Sequence, residues 1–178
     1  MTETHTYRAP GASILYDVRG PLPPPDGRPP LFMIGQPMDA SGFATLAAYF
    51  TDRTDVTYDP RGLGRSTRTD GRSDHTPEQQ AADVHGLIAE LGVGPVELFA
   101  SSGGAVTALA LVAAHPDDVS TLVAHEPPVF TVLPDADRAF AAERAVQDAY
   151  RAGGFGHGMA AFIALTSWWP PGPSPGTQ

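Results

Sequence analysis

The stretch Ala100-Ser101-Ser102-Gly103-Gly104 joins the apolar run 96–99 to a second apolar run that begins at Ala105. A serine hydroxyl raised on a sharp strand-to-helix turn can attack a carbonyl carbon. Such a turn strains the backbone and packs strand closely against helix, so the residues two before and two after the serine must be small. Centring the turn on Ser102 places Ala100 and Gly104 at those flanks. Centring it on Ser101 places Phe99 at the first flank, where a ring clashes. Ser102 is therefore the candidate nucleophile. The same five residues also suit a glycine-rich turn that does no more than start a helix.

A serine needs a base, and the base an orienting acid. His5 falls in an N-terminal stretch that reads as disordered, and His75 in a polar loop. His85 flanks the apolar stripe of a helix. His115 closes the helix that starts at the serine, where the helix dipole accounts for it. His157 sits between glycines and reads as a solvated loop residue. His125 ends the run 120–125 and precedes Glu126; neighbours on a strand point to opposite faces, so the two cannot both aim at Ser102 while the strand continues. No histidine stands out as the base.

The elements that must position these residues alternate. Runs 13–18, 31–34, 55–58, 96–99 and 120–125 read as short strands, and 41–50, 77–91 and 103–115 as helices. The helix at 77–91 is well signed: Thr76 and Gln79 form a capping box, Pro77 holds the first position, and Gly92 stops it. Helical text follows at 136–152 and 157–168. Short apolar strands alternating with helices predict an α/β fold, a mostly parallel sheet with helices on both faces. Ligands of such sheets bind at the carboxyl ends of the strands. A core over 1–128, helices over 129–169 and a disordered Pro-rich tail over 170–178 complete the expected organisation.

Composition narrows the function. A net charge of −9 argues against nucleic acid and against anionic membrane surfaces. All 11 basic residues are Arg, so no lysine-bearing phosphate loop exists, and the absence of Cys excludes thiolate chemistry and disulfides. The N-terminus lacks an apolar signal core and no run reaches the roughly 20 apolar residues of a membrane span. A cytoplasmic protein acting on a small molecule, without cofactor or metal, is the expectation.

Three further segments accompany the serine turn. IGQP (34–37) stands where α/β-hydrolases carry an H-G-x-P turn. YDPRGLGRS (58–66) resembles their Y-D-x-R-G-x-G-x-S segment, and HPDDVSTLVAHEPP (115–128) the stretch after their nucleophile helix. The chain thus resembles the α/β-hydrolase superfamily over roughly residues 12 to 170. The resemblance implies that Ser102 forms an acyl-enzyme with an ester-like substrate, and that the backbone N–H groups of Gly103 and Gln36 form the oxyanion hole. Pro37 has no N–H to offer. Ile34 departs from the family histidine. Asp59, Arg61, Gly62 and Gly64 correspond to residues that hold a loop.

Some members, haloalkane dehalogenases among them, carry their acid after the strand that ends here at His125, which makes Glu126 a candidate acid; the competing reading is a polar hinge residue fixed by Pro127 and Pro128. Their nucleophile is Asp, whereas serine at 102 disfavours dehalogenase and epoxide hydrolase chemistry. The family order is serine, acid, then a late histidine, and no such histidine is found here. The chain therefore looks like the first part of a hydrolase, lacking its last strands and cut within a helical lid. Lid residues Phe140, Tyr150, Phe155, Met159, Phe162, Trp168 and Trp169 suit either an apolar acyl site or lid packing. Two expectations stand: an esterase-like serine hydrolase, or a non-catalytic binding or assembly module. An exposed sheet edge after the run 120–125 predicts self-association.

Overall fold

Thr76 accepts a hydrogen bond from the Gln79 N–H at 3.2 Å, and Gly92 ends the helix in the left-handed conformation at φ 64°. These caps bound α2 (Pro77–Leu91) in the computed structural model, which describes residues 2–167. The other elements, in chain order, are β1 (Thr2–Ala9), β2 (Ala12–Arg19), β3 (Leu31–Gln36), a 3-10 turn (Ala40–Phe43) leading into the short α1 (Ala44–Ala47), β4 (Asp55–Tyr58) and β5 (Thr67–Arg68). After α2 come β6 (Val96–Ser102), α3 (Gly103–Ala114), a 3-10 turn (Pro116–Asp118), β7 (Val119–His125) and α4 (Ala136–Ser167). None of the described helices is long and apolar enough to cross a membrane.

The sheet runs β1-β2-β4-β3-β6-β7, with β5 paired to β2. β4, β3, β6 and β7 are parallel, and β2 is antiparallel to both β1 and β4. From β3 the chain goes one way to β4 and later the other way to β6 and β7. β3 and β6 therefore flank the point where strand order reverses, the place in such sheets where a crevice opens.

Alternation along the strands feeds two cores. Phe32, Ile34, Val96, Leu98 and Ala100 meet Val84, Leu87, Ala105, Ala108 and Leu111 of α2 and α3 on one face. Leu31 and Met33 meet Phe43 and Ala47 on the other, with Phe99 packed against them. β3 is buried on both sides, as a central parallel strand must be.

Two segments differ from the sequence reading. The N-terminal stretch expected to be disordered is β1, paired with β2 from Thr2↔Arg19 to Ala9↔Ala12, and His5 stacks on Tyr16 at 5.2 Å. Its polar residues carry no hydrophobic period, and its ladder to β2 is invisible without the partner strand. β5 likewise lies inside what reads as a polar loop. The two stretches of helical text after residue 135 form, as far as Ser167, the single span α4, broken by non-helical Gly154 at φ 72°. The chain divides into two compact units after Pro128. In the second, Phe130 meets Phe140 edge-on at 5.8 Å, and Tyr150, Phe155 and Phe162 are exposed. Trp168, Trp169 and the tail at 170–178 lie outside the described residues.

One buried ion pair ties the first unit together. Arg61, in the loop after β4, donates to both Asp83 carboxylate oxygens, at 2.9 and 2.5 Å, and to the Pro10 carbonyl of the β1–β2 turn at 2.9 Å. Arg61 also lies 3.5 Å from an Asp70 carboxylate oxygen, so removing Asp83 leaves the buried guanidinium with that single longer ion pair. Asp83→Ala should therefore lower the unfolding free energy by about 3–5 kcal/mol in urea titrations. A loss under about 1 kcal/mol would show that Asp70 or entering water compensates Arg61 once Asp83 is gone.

Candidate active site

β6 ends in an abrupt reversal of backbone. Ser102 has φ 56° and ψ −125°, a left-handed conformation uncommon for a residue with a side chain, and it directly precedes the first turn of α3. The first N–H groups of a helix have no intrahelical partner and point outward, ready for an anion.

Close packing explains the small residues around it. A Cβ at Gly104 would lie 2.7 Å from Gly35 Cα, 2.8 Å from the Ile34 carbonyl oxygen and 2.9 Å from the Gly35 nitrogen. All three are backbone atoms that cannot swing aside, so position 104 admits only hydrogen. Ala100, on the other flank, is fully buried. Gly103 abuts the end of β3: a Cβ there would come within 3.1 Å of Gln36 Cβ and of the Gln36 carbonyl oxygen. In the parallel ladder Gln36 is the register partner of Ser102. Ser102, Gly103 and Gln36 thus converge at the switch point between β3 and β6.

The loop after β3 is held from β4. Asp59, at the end of that strand, accepts from the Ala40 N–H at 3.0 Å and from the Arg65 N–H and Nε at 2.8 and 2.7 Å. Ser66 Oγ donates to the Asp59 carbonyl at 2.7 Å and accepts from the Leu15 N–H at 2.9 Å. Gly62 and Gly64 take φ 74° and 56° in the same loop. Burial alone would raise the Asp59 carboxyl, but hydrogen bonds from Arg65 and Ala40 outweigh it and hold the group below its ordinary value.

Of the other candidates, the structure joins one pair that the sequence reading set aside. Ser101 Oγ lies 3.3 Å from His125 Nδ1, and the His125 ring stacks over Phe99 at 6.1 Å. The parallel register Ser101↔His125 causes this, because paired residues of neighbouring strands project to the same face. The register shift between Val96 and Glu97 hides this pairing from the sequence runs. Glu126, just beyond β7, has φ 50°; it and Ser102 are the described non-glycine residues with positive φ, each at the carboxyl end of one of two adjacent parallel strands. His157 lies in α4, its Nδ1 2.8 Å from the Gly153 carbonyl. A cavity of about 480 Å³ lined by residues of β2, β4 and α1 includes Asp17, Arg19, Asp55, Asp59 and Arg65 with Phe43 and Ala47, but no residue of the serine turn.

A family model for the alpha/beta hydrolase fold matches residues 35–173, and the chain belongs to that family. Among curated proteins, it is 36% identical over 129 residues to an uncharacterized hydrolase, YraK, of Bacillus subtilis; the match covers 72% of this chain and 46% of that protein. It is 32% identical over 102 residues to a proline iminopeptidase of Xylella fastidiosa, covering 56% of this chain and 32% of that one. The chain thus spans less than half the length of either relative. Among solved structures, E-2-(acetamidomethylene)succinate hydrolase superposes with a TM-score of 0.63 at 24% identity, covering 84% of this chain and 52% of that one. The epoxide hydrolase CorEH superposes with a TM-score of 0.56 at 22% identity, covering 68% and 41%. At these identities the structures establish the fold alone.

Because the folded state holds Asp59 below its ordinary value of 3.8, its contribution to stability is complete above that value and is lost as pH falls through the lower folded value. Urea midpoints taken from about pH 5 down to pH 2 should fall more steeply for the parent than for Asp59→Asn. Parallel curves would mean that other carboxylates carry the acid sensitivity.

Proposed function

We propose that the protein is a serine hydrolase acting on an ester or similar acyl substrate through an acyl-enzyme on Ser102. The observation that carries this reading is the left-handed Ser102 backbone, set between β6 and α3 with Gln36 in register and Gly103 against it. In the reaction the Ser102 oxygen bonds to the substrate carbonyl carbon as a base takes its proton, and the carbonyl oxygen becomes an oxyanion. The N–H groups of Gly103 and Gln36 receive that charge. Collapse expels the alcohol, which takes up the proton, and water then releases the acid by the same steps. Glu126 is the candidate acid, supported by its position beyond the strand next to β6, and none of the six histidines of this chain is assigned as the base. A serine at the turn, and not a carboxylate, favours an acyl substrate over an epoxide.

The Ser101–His125 contact supports a second reading in which those two residues are the nucleophile and base. A fluorophosphonate separates the two. Its adduct should map to Ser102 and vanish in Ser102→Ala. An adduct on Ser101 that Ser102→Ala leaves intact would transfer the chemistry to Ser101 and His125, and no adduct in the folded chain would favour a non-catalytic binding module.

The oxyanion donors give a further test in a form of the protein with measurable turnover. If Gln36 contributes only its backbone N–H, Gln36→Ala should change kcat little. Gln36→Pro, which deletes that donor, should lower kcat on the order of 10²-fold. Equal losses would assign the role to the side chain.

A further inference from the structure

At the far end of α3 from Ser102, three side chains from three parts of the fold meet. His85 comes from α2, His115 ends α3, and Asp118 closes the 3-10 turn that follows. His85 Nδ1 lies 2.6 Å from Asp118 Oδ2, and the rings of His85 and His115 stack at 3.7 Å with an interplanar angle of 9°. One ligating atom from each of the three falls within 4.8 Å of the others, the one such group of His, Asp or Glu found among the described residues.

We infer that His85, His115 and Asp118 form a binding site for one divalent transition-metal ion of the zinc type. The sequence reading assigned no metal, because His85 and the segment His115-Pro116-Asp117-Asp118 lie about thirty residues apart and neither is a ligand motif by itself.

The local backbone prepares two of the three ligands. His115 is the residue that precedes the 3-10 turn Pro116–Asp118, which keeps it and Asp118 close along the chain. The Asp118 N–H donates to the His115 carbonyl at 3.2 Å, and the His115 N–H to the Leu111 carbonyl at 2.7 Å, which fixes both residues to the end of α3. α2 packs along α3 through Val84, Leu87, Ala108 and Leu111, and that contact presents His85 to the pair.

The donor set selects the ion. Two imidazole nitrogens and one carboxylate oxygen suit zinc and its neighbours, whereas calcium and magnesium require all-oxygen shells. Bonds of about 2.0–2.2 Å in a tetrahedron set ligand atoms roughly 3.3–3.5 Å apart. The His85–Asp118 hydrogen bond must therefore open by somewhat under 1 Å, and one of the stacked rings must tilt so that both lone pairs point at one centre. The His85 side chain is 41% exposed, so its rearrangement is opposed by the Asp118 hydrogen bond and the ring stack and not by burial. An ion would take the place of the His85–Asp118 hydrogen bond, and water would fill the fourth position. With α3 some 18 Å long, the site is remote from Ser102 and acts as a clip between α2 and the α3–β7 connection.

The test is calorimetric titration of zinc chloride into the untagged 178-residue chain, with thermal melts beside it. One ion per chain is expected, with Tm rising in excess zinc. His115→Ala and Asp118→Asn should weaken binding tenfold or more and abolish the rise in Tm, while His157→Ala should change neither. The absence of a one-to-one ion, or unchanged affinity in His115→Ala, would overturn the site. If either variant loses its native circular dichroism, histidine-ring NMR of the parent decides. Zinc must then shift the His85 and His115 rings; shifts confined to His5, His75, His125 or His157 would refute the assignment.

Discussion

The close approach of α3 to the end of β3 is the constraint on which the site geometry rests. Backbone atoms of Ile34 and Gly35 leave room at position 104 for a hydrogen and nothing larger. With that contact made, β6 cannot run on into α3 smoothly and must reverse within one residue. Ser102 takes the reversal at φ 56°, which costs local strain that the packed strands on either side must hold. The same contact sets Gly103 against Gln36. A helix start, a strand end and a raised serine are thus consequences of one steric fact.

Electrostatics secures what sterics arranges. The loops after β3 and β4 would be free to wander if only apolar contacts held them. Asp59 fastens both, through Ala40 on one side and Arg65 on the other, while Arg61 anchors the second loop to α2 and to the β1–β2 turn. The chain has no lysine, and arginine serves these positions well, because a planar fork can satisfy two carboxylate oxygens at once. The buried side chains are correspondingly well partnered: among the described residues no buried side-chain nitrogen or oxygen lacks a hydrogen bond.

The two ends of α3 then have different characters. At its amino end the helix presents unpaired N–H groups beside Ser102, an environment for developing negative charge. At its carboxyl end it presents carbonyls, two imidazoles and Asp118, an environment for a cation. A 12-residue helix with small residues on its buried face separates them and packs tightly against β3 and β6.

What the sequence by itself determined is what short-range rules govern. Strands β2, β3, β4, β6 and β7 follow from apolar runs, and α2 follows from its caps and its proline. The choice of Ser102 over Ser101 as centre of the turn follows from the size of the residues two places away. The parallel sheet follows from alternation of these elements. Tertiary structure decided the rest, because it depends on partners far along the chain. β1 is mostly polar, and its order comes from its ladder to β2, the His5–Tyr16 stack and the packing of Tyr7 and Ala9 on the core. Ser101 meets His125, and His85 meets His115 and Asp118, only once β6 is registered on β7 and α2 is laid along α3. Contacts of this kind have no period, cap or spacing to announce them; they are set by register and packing, which exist only when the chain has folded.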